Sequence, residues 1–458
     1  MSFARIGSLG TASSKTAGQT LSLNPSSSVP AGHLVAVYVG WAGDELYTDG
    51  GVRQDLGLAC TDDQGNIYTE LQSGLYDVSC SLFLAYIDNP LSTSSTITIT
   101  HRSSLLVAKG MSVEEFSIGA GKRFAVWRDK MNAFEQTSYF SPFVTGLDSG
   151  TEYLLLNVLA TLRPTTDSYT WDSDYTQIAV AGTTGGTDSS NVTLRGSSRI
   201  VSGVTTDTCS LSNTTAATAV DIMQAMVVVS EINYDASFPT FPNFDDFNRA
   251  DEDPLSNPPW DDDPNHHPGQ GSAQCRVVSN ECARSASGTF HGAQFWLNSI
   301  PAGDDGEVFV TITNVGGSTS RQGAHCFASG SGHNATLGGY AVYWIGETGA
   351  RPDHLDYGSS GNTGGGVSTG LIVWADKSSP CKMGLQLRSN GQVLQLWADT
   401  GSGWRWVSAY YVTGGGYVNS GYFGLNFAQD SAARMDDFGG GTSLPPFLPQ
   451  IIRRLSVH

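Results

Sequence analysis

The sequence predicts an all-β protein made of two β-sandwich or jelly-roll domains in tandem. Short apolar or alternating runs recur along the chain, and Gly, Asn, Asp and Ser separate them. The 3.6-residue periodicity of amphipathic helices is nearly absent. The chain has 54 glycines in 458 residues, which is typical of a protein with many turns. Because 39% of its residues are hydrophobic, it can bury real cores and does not resemble a disordered chain.

The first domain is predicted to span residues 1–237 and to consist of two similar halves, at about 20–120 and 145–235. Each half contains five apolar or alternating runs in the same order. The runs begin at residues 34, 66, 81, 95 and 111 in the first half and at 152, 175, 197, 208 and 223 in the second. The paired starts lie 118, 109, 116, 113 and 112 residues apart. This spacing indicates an internal duplication, and we expect the halves together to close one two-layer sandwich.

The second domain is predicted at 244–441, after a proline-containing linker at 238–243 that we expect to act as a hinge. Its strand runs are short and close together, and Asn390-Gly391 between two of them is a strong hairpin signal. This pattern is typical of an antiparallel sandwich or jelly roll. The remaining tail, 442–458, is apolar and basic, so we expect it to dock on an acidic neighbour or on a second copy of the chain.

The acidic segment NFDDFNRADEDPLSNPPW opens the second domain, and a related segment, ARMDDFGGG, closes it. The first and last strands of a jelly roll are often neighbours, so the two Asp-Asp-Phe segments are predicted to pair. We expect the aromatic residues to be core anchors and the arginine to bridge carboxylates bidentately. The residues of this structural motif are Phe244, Asp245, Asp246, Phe247, Arg249, Trp260, Asp436, Asp437 and Phe438.

These segments, together with GYFGLNF at 421–427, resemble the concanavalin A-like jelly-roll domain found in bacteriophage tail and other virion proteins. The insertion PPWDDDPNHHPGQG departs from the usual short connection. The first domain is similar to a sandwich module of phage structural proteins, through SVPAGHLVAVYV, CTDDQGNIYTEL and VEEFSI. The resemblance implies a non-enzymatic minor tail, fibre or decoration protein that contacts other virion proteins and forms a homo-oligomer.

A carbohydrate-binding adhesin or receptor-binding protein is the alternative function. It would use the aromatic series in GWRWVSAYY to stack on sugar rings of host surface glycans. Alternation places two of these residues on one face, with a third joining them if no bulge intervenes, although a sandwich strand also needs aromatics for its core. The candidates are Trp404, Trp406, Tyr410 and Tyr411.

A metal site and an active site are both disfavoured by the spacing of the polar residues. Asp261, Asp263 and Asn265 could offer oxygen ligands to calcium, but prolines stiffen the segment and a solvated acidic loop is the simpler interpretation. The adjacent carboxylates of Asp245 and Asp246 would point to opposite faces of a strand, whereas a glycosidase needs two across one cleft. The G-x-S-x-G spacing within GNTGGGVSTG (361–370) falls in a predicted flexible loop and not at a strand-to-helix nucleophile elbow, so we expect no catalytic residues and no cofactor.

Charge and hydropathy exclude further partners. The 24 basic and 43 acidic residues give a net charge of −19, which disfavours nucleic-acid and anionic-lipid binding. No apolar run approaches the length of a membrane span, and the first residues lack the apolar core of a signal peptide. We therefore expect a protein made in a host cytoplasm and built into a virion. The seven cysteines form no C-x-x-C pair, so buried reduced thiols are expected.

Overall fold

The computed structural model is all-β, as predicted, and among the described residues no α-helix occurs. The chain divides into two compact units: Met1–Tyr234 with Gly349–Pro352 and Gly370–Ala375, and Asp235–Thr348 with Asp353–Thr369 and Asp376–His458. The structure describes residues 3–42, 48–49, 52–53, 58–74, 78–101, 106, 108–133, 142–163, 169–187, 190–209, 211–213, 222–234, 238–240, 243–253, 255, 260, 275–284, 292–300, 305–314, 321–328, 340–345, 354–359, 372–373, 381–388, 392–399, 401, 403–411, 421–427 and 434–442.

The strands of the first unit follow the apolar runs of the sequence. They are β1 (Ala4–Ser14), β2 (Thr20–Leu23), β3 (His33–Ala42), β4 (Thr48–Asp49), β5 (Val52–Arg53), β6 (Leu58–Asp62), β7 (Tyr68–Gly74), β8 (Val78–Tyr86), β9 (Ile97–His101), β10 (Ala108–Ser117), β11 (Lys122–Ala133), β12 (Phe143–Thr145), β13 (Glu152–Thr161), β14 (Tyr169–Trp171), β15 (Thr176–Gln177), β16 (Ala181–Gly182), β17 (Thr193–Ser202), β18 (Thr206–Thr208), β19 (Leu211–Asn213) and β20 (Ile222–Asn233).

The first half of this unit is a sandwich with its own core. A five-stranded antiparallel sheet, in the order β1-β10-β3-β8-β7, faces a three-stranded sheet, β2-β9-β6. Alternate residues of β3, among them Val37 and Val39, pack with Ile97 and Ile99 of β9 in one buried cluster. Period-two alternation therefore places one apolar face of each strand in this core.

The second half repeats this topology, as the internal duplication predicts. Its large sheet has the order β11-β20-β13-β17-β15, and β16 also pairs with β17. The small pairs β12-β18 and β14-β19 correspond to β2-β9-β6, with β9 replaced by two short strands. Val39 lies opposite Ser81 between β3 and β8, and Asn157 lies opposite Ser197 between β13 and β17. The predicted offset of 118 residues relates Val39 to Asn157, and the predicted offset of 116 residues relates Ser81 to Ser197. The first strand of each half, β1 and β11, was not predicted.

The prediction of one two-layer sandwich was wrong, because each half closes a sandwich of its own. The two cores are separate clusters, and the outer faces of the large sheets pack against each other. At Gly40, a Cβ atom would lie 3.1 Å from Cβ of Ala160 and 3.3 Å from Cδ1 of Leu194. Both faces of β3 and β13 are thus buried, which explains their continuous apolar sequences. The first unit has four layers of strands.

The second unit is an antiparallel sandwich. Its strands are β21 (Asn243–Asp245), β22 (Cys275–Val278), β23 (Glu281–Arg284), β24 (Gly292–Ile300), β25 (Gly306–Asn314), β26 (Arg321–Ala328), β27 (Tyr340–Ile345), β28 (His354–Ser359), β30 (Cys381–Arg388), β31 (Val393–Asp399), β32 (Arg405–Tyr411), β33 (Gly421–Phe427) and β34 (Arg434–Thr442). β29 (Ile372–Val373) falls in a segment grouped with the first unit.

Two sheets form the sandwich of the second unit. One has the order β32-β31-β30-β25-β34-β23-β22, with β21 also on β34. The other sheet contains β24-β33-β26-β27-β28. Its strands β26 and β27 pack against β25 and β30 of the sheet just described. β30 and β31 form the antiparallel pair predicted around Asn390-Gly391, which itself lies outside the described residues. The tail from 443 onwards is also outside the described part of the chain.

Candidate functional site

The opening acidic segment is organised around the carboxylate of Asp245. Its Oδ1 accepts hydrogen bonds from the backbone N–H of Phe247 at 2.8 Å and from Nη1 of Arg249 at 2.5 Å. Its Oδ2 accepts from Nη2 of Arg249 at 3.0 Å and from Nε1 of Trp260 at 2.6 Å. Asp245 is only 9% exposed. Four donors therefore compensate the burial of one charge, as a structural anchor requires.

The aromatic residues of the motif form a stack beside this carboxylate. Phe247 and Trp260 have ring centroids 6.0 Å apart, and Trp260 and Phe438 have centroids 5.0 Å apart. All three side chains are buried. Phe247, Trp260 and Phe438 are thus core residues, and Phe244 lies in β21, but its side chain is outside the described set.

The two Asp-Asp-Phe segments are neighbours, with Asp245 opposite Phe438 between β21 and β34. Arg249 makes the predicted bidentate contact with Asp245, but its second acidic partner is Glu252 of the same segment, at 3.1 Å. Asp437, in the closing strand β34, lies 3.4 Å from Nζ of Lys382 in β30. The predicted bridge by Arg249 between the two segments was therefore wrong, because the turn after Asp245 brings Glu252 closer.

The carboxylates that remain at this junction differ in burial and in their neighbours. Burial raises the pKa of Asp436, and the charges of Asp437 and Asp246 raise it further. Asp246 is exposed, and Asp437 contacts Thr311 and Lys382. Among the described residues, no group of three or more His, Cys, Asp or Glu side chains is placed to hold a metal ion. Asp261, Asp263 and Asn265 lie outside the described residues.

A second cluster of aromatic side chains lies on one face of the β32-β31-β30-β25 sheet. Phe238, from the predicted linker, stacks on Trp397 with centroids 5.0 Å apart and an interplanar angle of 11°. Phe238 also meets Trp404 edge-on at 4.9 Å, and Phe309 meets Trp404 at 5.9 Å. A Cβ atom at Gly384 would lie 2.3 Å from Phe238 Cζ, so glycine leaves the space that this ring fills. The predicted hinge segment thus contributes Phe238 to the sandwich of the second unit.

The four predicted sugar-stacking residues do not form one platform. Trp406 and Tyr410 are 4% and 6% exposed and belong to the packed interior, whereas Trp404 and Tyr411 are partly exposed. Trp406 pairs with Trp397, but Ser408 pairs with Leu396, so Val407 forms a bulge. The bulge turns Tyr410 to the face opposite Trp406 and brings Tyr411 onto the Trp406 face. Trp404 and Tyr411 stand at opposite ends of β32, about 20 Å apart by strand geometry.

Trp404 directly follows a hydrogen-bonded turn and also contacts its aromatic neighbours. Asp399 Oδ1 accepts hydrogen bonds from the N–H groups of Gly401 at 2.7 Å and Gly403 at 2.9 Å. Both glycines have positive φ angles, 106° and 96°, which side-chain-bearing residues rarely adopt. A partly exposed indole on a fixed turn can offer a flat apolar surface to a ligand without being ordered first. The sequence pattern identified Trp404, but it contained no local signal for the contribution of Phe238.

Two further expectations from the sequence concern the cysteines and membrane-spanning segments. Six of the described cysteines are buried and not part of a disulfide bond, as expected: Cys60, Cys80, Cys209, Cys275, Cys282 and Cys381. In the described part of the chain, no helix has the length and apolar character needed to span a membrane.

Comparisons with known proteins find distant structural likeness alone. No family model matches the chain, and no curated protein matches it. Similar solved structures include a carbohydrate-binding module, CBM66, from Bacillus subtilis, at 12% identity and a TM-score of 0.28; the match covers 40% of this chain and 96% of that one. The VIP36 exoplasmic/lumenal domain, in a Ca2+/Man3GlcNAc-bound form, is 12% identical with a TM-score of 0.29 over 43% of this chain and 89% of that one. A legume lectin-like domain from Entamoeba histolytica is 7% identical with a TM-score of 0.28, over 38% and 89%.

Proposed function

We propose that this protein is a non-enzymatic glycan-binding protein that attaches to carbohydrate at a host cell surface through its second unit. The observation that carries the proposal is Trp404, a partly exposed indole that follows a turn hydrogen-bonded to Asp399 and that contacts the rings of Phe238 and Phe309. Sugar rings have apolar faces that stack on flat aromatic surfaces. An aromatic side chain that is already ordered loses little conformational entropy when a ligand binds to it.

The proposed site involves recognition without bond cleavage. A glycosidase needs an acid and a second carboxylate across a cleft. The most buried carboxylate of the opening segment, Asp245, is engaged by Arg249, Trp260 and a backbone N–H, so it is not available to protonate a leaving group. The carboxylate of Asp399 near Trp404 accepts two backbone hydrogen bonds of its own turn. Both roles are structural.

We further propose that the setting is a bacteriophage virion, in which the chain is a tail, fibre or decoration protein. The resemblance of the Asp-Asp-Phe segments to those of virion jelly-roll domains supports this setting, and the pairing of β21 with β34 is consistent with it. Repeated copies in a particle would convert weak contacts to single glycans into useful avidity. Other virion proteins and further copies of the chain would be its partners.

A glycan array probed with the full chain tests the binding function. Selective binding to a subset of surface polysaccharides or oligosaccharides is expected, and an array without a selective signal would contradict the proposal. The full chain incubated with each bound polysaccharide should release no reducing ends; release would make the protein an enzyme.

The virion setting has a separate test. Particles purified from the phage that encodes the chain should contain it by mass spectrometry, and an antibody against the full chain should label them at repeated positions. Absence from purified particles would refute the virion setting and leave the glycan-binding proposal to its own test.

A further inference from the structure

The first unit contains two sandwiches, here called the first sandwich (its first half) and the second sandwich (its second half). The interior of the second sandwich, between β13, β17, β20 and β14, contains a group of buried polar atoms without partners. Both amide atoms of Asn157, both amide atoms of Gln224, Oγ1 of Thr161 and Nε1 of Trp171 form no hydrogen bond. Asn157 and Thr161 are 0% exposed, Gln224 is 1% exposed and Trp171 is 6% exposed. Each of these groups loses its hydrogen bonds to water when it is buried.

These side chains lie on one face. Gln224 is opposite Leu159 between β20 and β13, and Asn157 and Thr161 flank Leu159 along β13. Residues two apart along a strand point to the same side of a sheet, so the three polar side chains share the core face of Leu159. Trp171 belongs to the same buried cluster from the facing pair of strands. The residues that carry the unpaired groups therefore all lie on the core side of one sandwich.

The first sandwich provides an internal comparison because it has the same topology. Val39 there lies opposite Met111 and Ser81, and Asn157 in the second sandwich lies opposite Met226 and Ser197. The two positions are equivalent, yet the first carries an apolar side chain buried in an apolar core. An amide at this position is thus not required by the fold.

We propose that the core of the second sandwich binds an uncharged, hydroxyl-bearing guest that is hydrogen-bonded to Asn157, Gln224, Thr161 and Trp171. Amides offer donors and acceptors, whereas the indole offers a donor, which complements hydroxyl groups that do both. Asn157, Gln224, Thr161 and Trp171 are all neutral, and the charged Arg195, opposite Leu159 on β17, has interactions of its own.

The dimensions set the size of the guest. Thr161 is four positions after Asn157 along β13, which corresponds to about 13 Å. Gln224 lies on the neighbouring strand β20, about 5 Å from β13. A single water molecule cannot reach all of these groups, because hydrogen bonds span about 3 Å. A chain of ordered water molecules or one small polyol has the required extent. Since the region is buried, the guest enters during folding or by local opening.

A crystal structure of the full wild-type chain at atomic resolution tests the proposal. Discrete density peaks within hydrogen-bonding distance of Asn157 and Gln224 would identify water, and continuous density would identify a polyol, which native mass spectrometry should then detect as added mass. Either result supports the guest. An empty region, or Asn157 and Gln224 bonded directly to each other, would overturn it.

The variant Asn157→Val, which copies the residue of the first sandwich, gives an independent readout. If a guest is bound, the variant removes its contacts and should lower the thermal midpoint by about 2–5 °C. If the amide is simply unpaired, replacing it with an apolar side chain should raise the midpoint, and that result would refute the proposal. The converse control, Val39→Asn, should lower the midpoint and leave the density in the second sandwich unchanged.

Discussion

At the scale of single residues, the opening acidic segment acts as a structural anchor. The carboxylate of Asp245 joins a turn, an arginine and a buried indole through four hydrogen bonds. The neighbouring Asp246 is exposed and accepts a local hydrogen bond from the N–H of Asn248. Two adjacent carboxylates thus have different roles because Asp245 ends β21 with its carboxylate buried, whereas Asp246 follows the strand and is exposed.

Asp245→Asn should lower the free energy of unfolding by about 2–3 kcal/mol. The substitution removes the charge that compensates Arg249 and replaces one acceptor with a donor facing Trp260 or Arg249; the estimate is reduced because Arg249 is partly exposed. Chemical denaturation followed by tryptophan fluorescence measures the loss. The control Asp246→Asn should change stability by less than about 0.5 kcal/mol. Equal effects of the two substitutions would contradict the anchor role.

His101 in the first sandwich should make stability sensitive to acid. Its ring is 3% exposed, lies edge-on to Trp41 at a centroid distance of 5.2 Å, and is close to the buried Lys109. Burial, and secondarily the charge of Lys109, lowers the pKa of His101 to about 3. An unfolded chain binds a proton at this residue below about pH 6.5, whereas the folded chain does not. Stability is therefore unaffected above that pH and falls as the pH drops from 6.5 towards 3.

Between pH 7 and pH 5, His101 should account for a loss of about 2 kcal/mol. The variant His101→Gln has no titrating group at this site, so its unfolding free energy should fall by that much less over the same interval. Denaturant titrations of both proteins at the two pH values supply the comparison. The same pH dependence in wild type and variant would show that His101 is not buried in its neutral form.

At the scale of strands, alternation and turn residues predicted the elements well, including the duplicated series in the first unit. Three features escaped because they depend on long-range packing or register. The apolar runs of β3 and β13 do not reveal whether two layers or four bury them. The bulge at Val407 adds one residue without a local sequence signature, and it reverses the face of Tyr410. The role of Phe238 depends on Gly384, which is about 150 residues away in sequence.

Gly384→Ala should destabilise the second unit by about 1–3 kcal/mol, because its Cβ atom would overlap the ring of Phe238. Phe238→Ala should also destabilise it, through the loss of stacking on Trp397. In the double variant the overlap is gone, so the cost of the alanine at 384 should be smaller than in the wild-type background. Thermal unfolding of the four proteins measures this coupling. Additive effects would place Phe238 away from Gly384.

At the scale of the whole molecule, the chain combines a duplicated four-layer unit with a two-sheet jelly roll. The short apolar runs and the glycine-rich composition predicted the fold class, and the negative net charge disfavoured nucleic-acid partners. The candidate site could be predicted only in part, because alternation selected four aromatic residues but could not distinguish buried from accessible ones. Trp404 and Tyr411 retain exposed surface, and Trp404 alone of these two has the aromatic contacts with Phe238 and Phe309.

Calorimetric titration of the best glycan on the array into the wild-type chain, Trp404→Ala and Phe143→Ala tests the central claim most directly. Phe143 is 54% exposed in the first unit, so its variant controls for the loss of an exposed aromatic side chain. Trp404→Ala should bind the glycan about tenfold more weakly than wild type, because it lacks the stacking contact. Phe143→Ala should bind the glycan like wild type. The thermal midpoint of each variant must show that it is folded at the titration temperature. Undiminished affinity in folded Trp404→Ala would contradict the account.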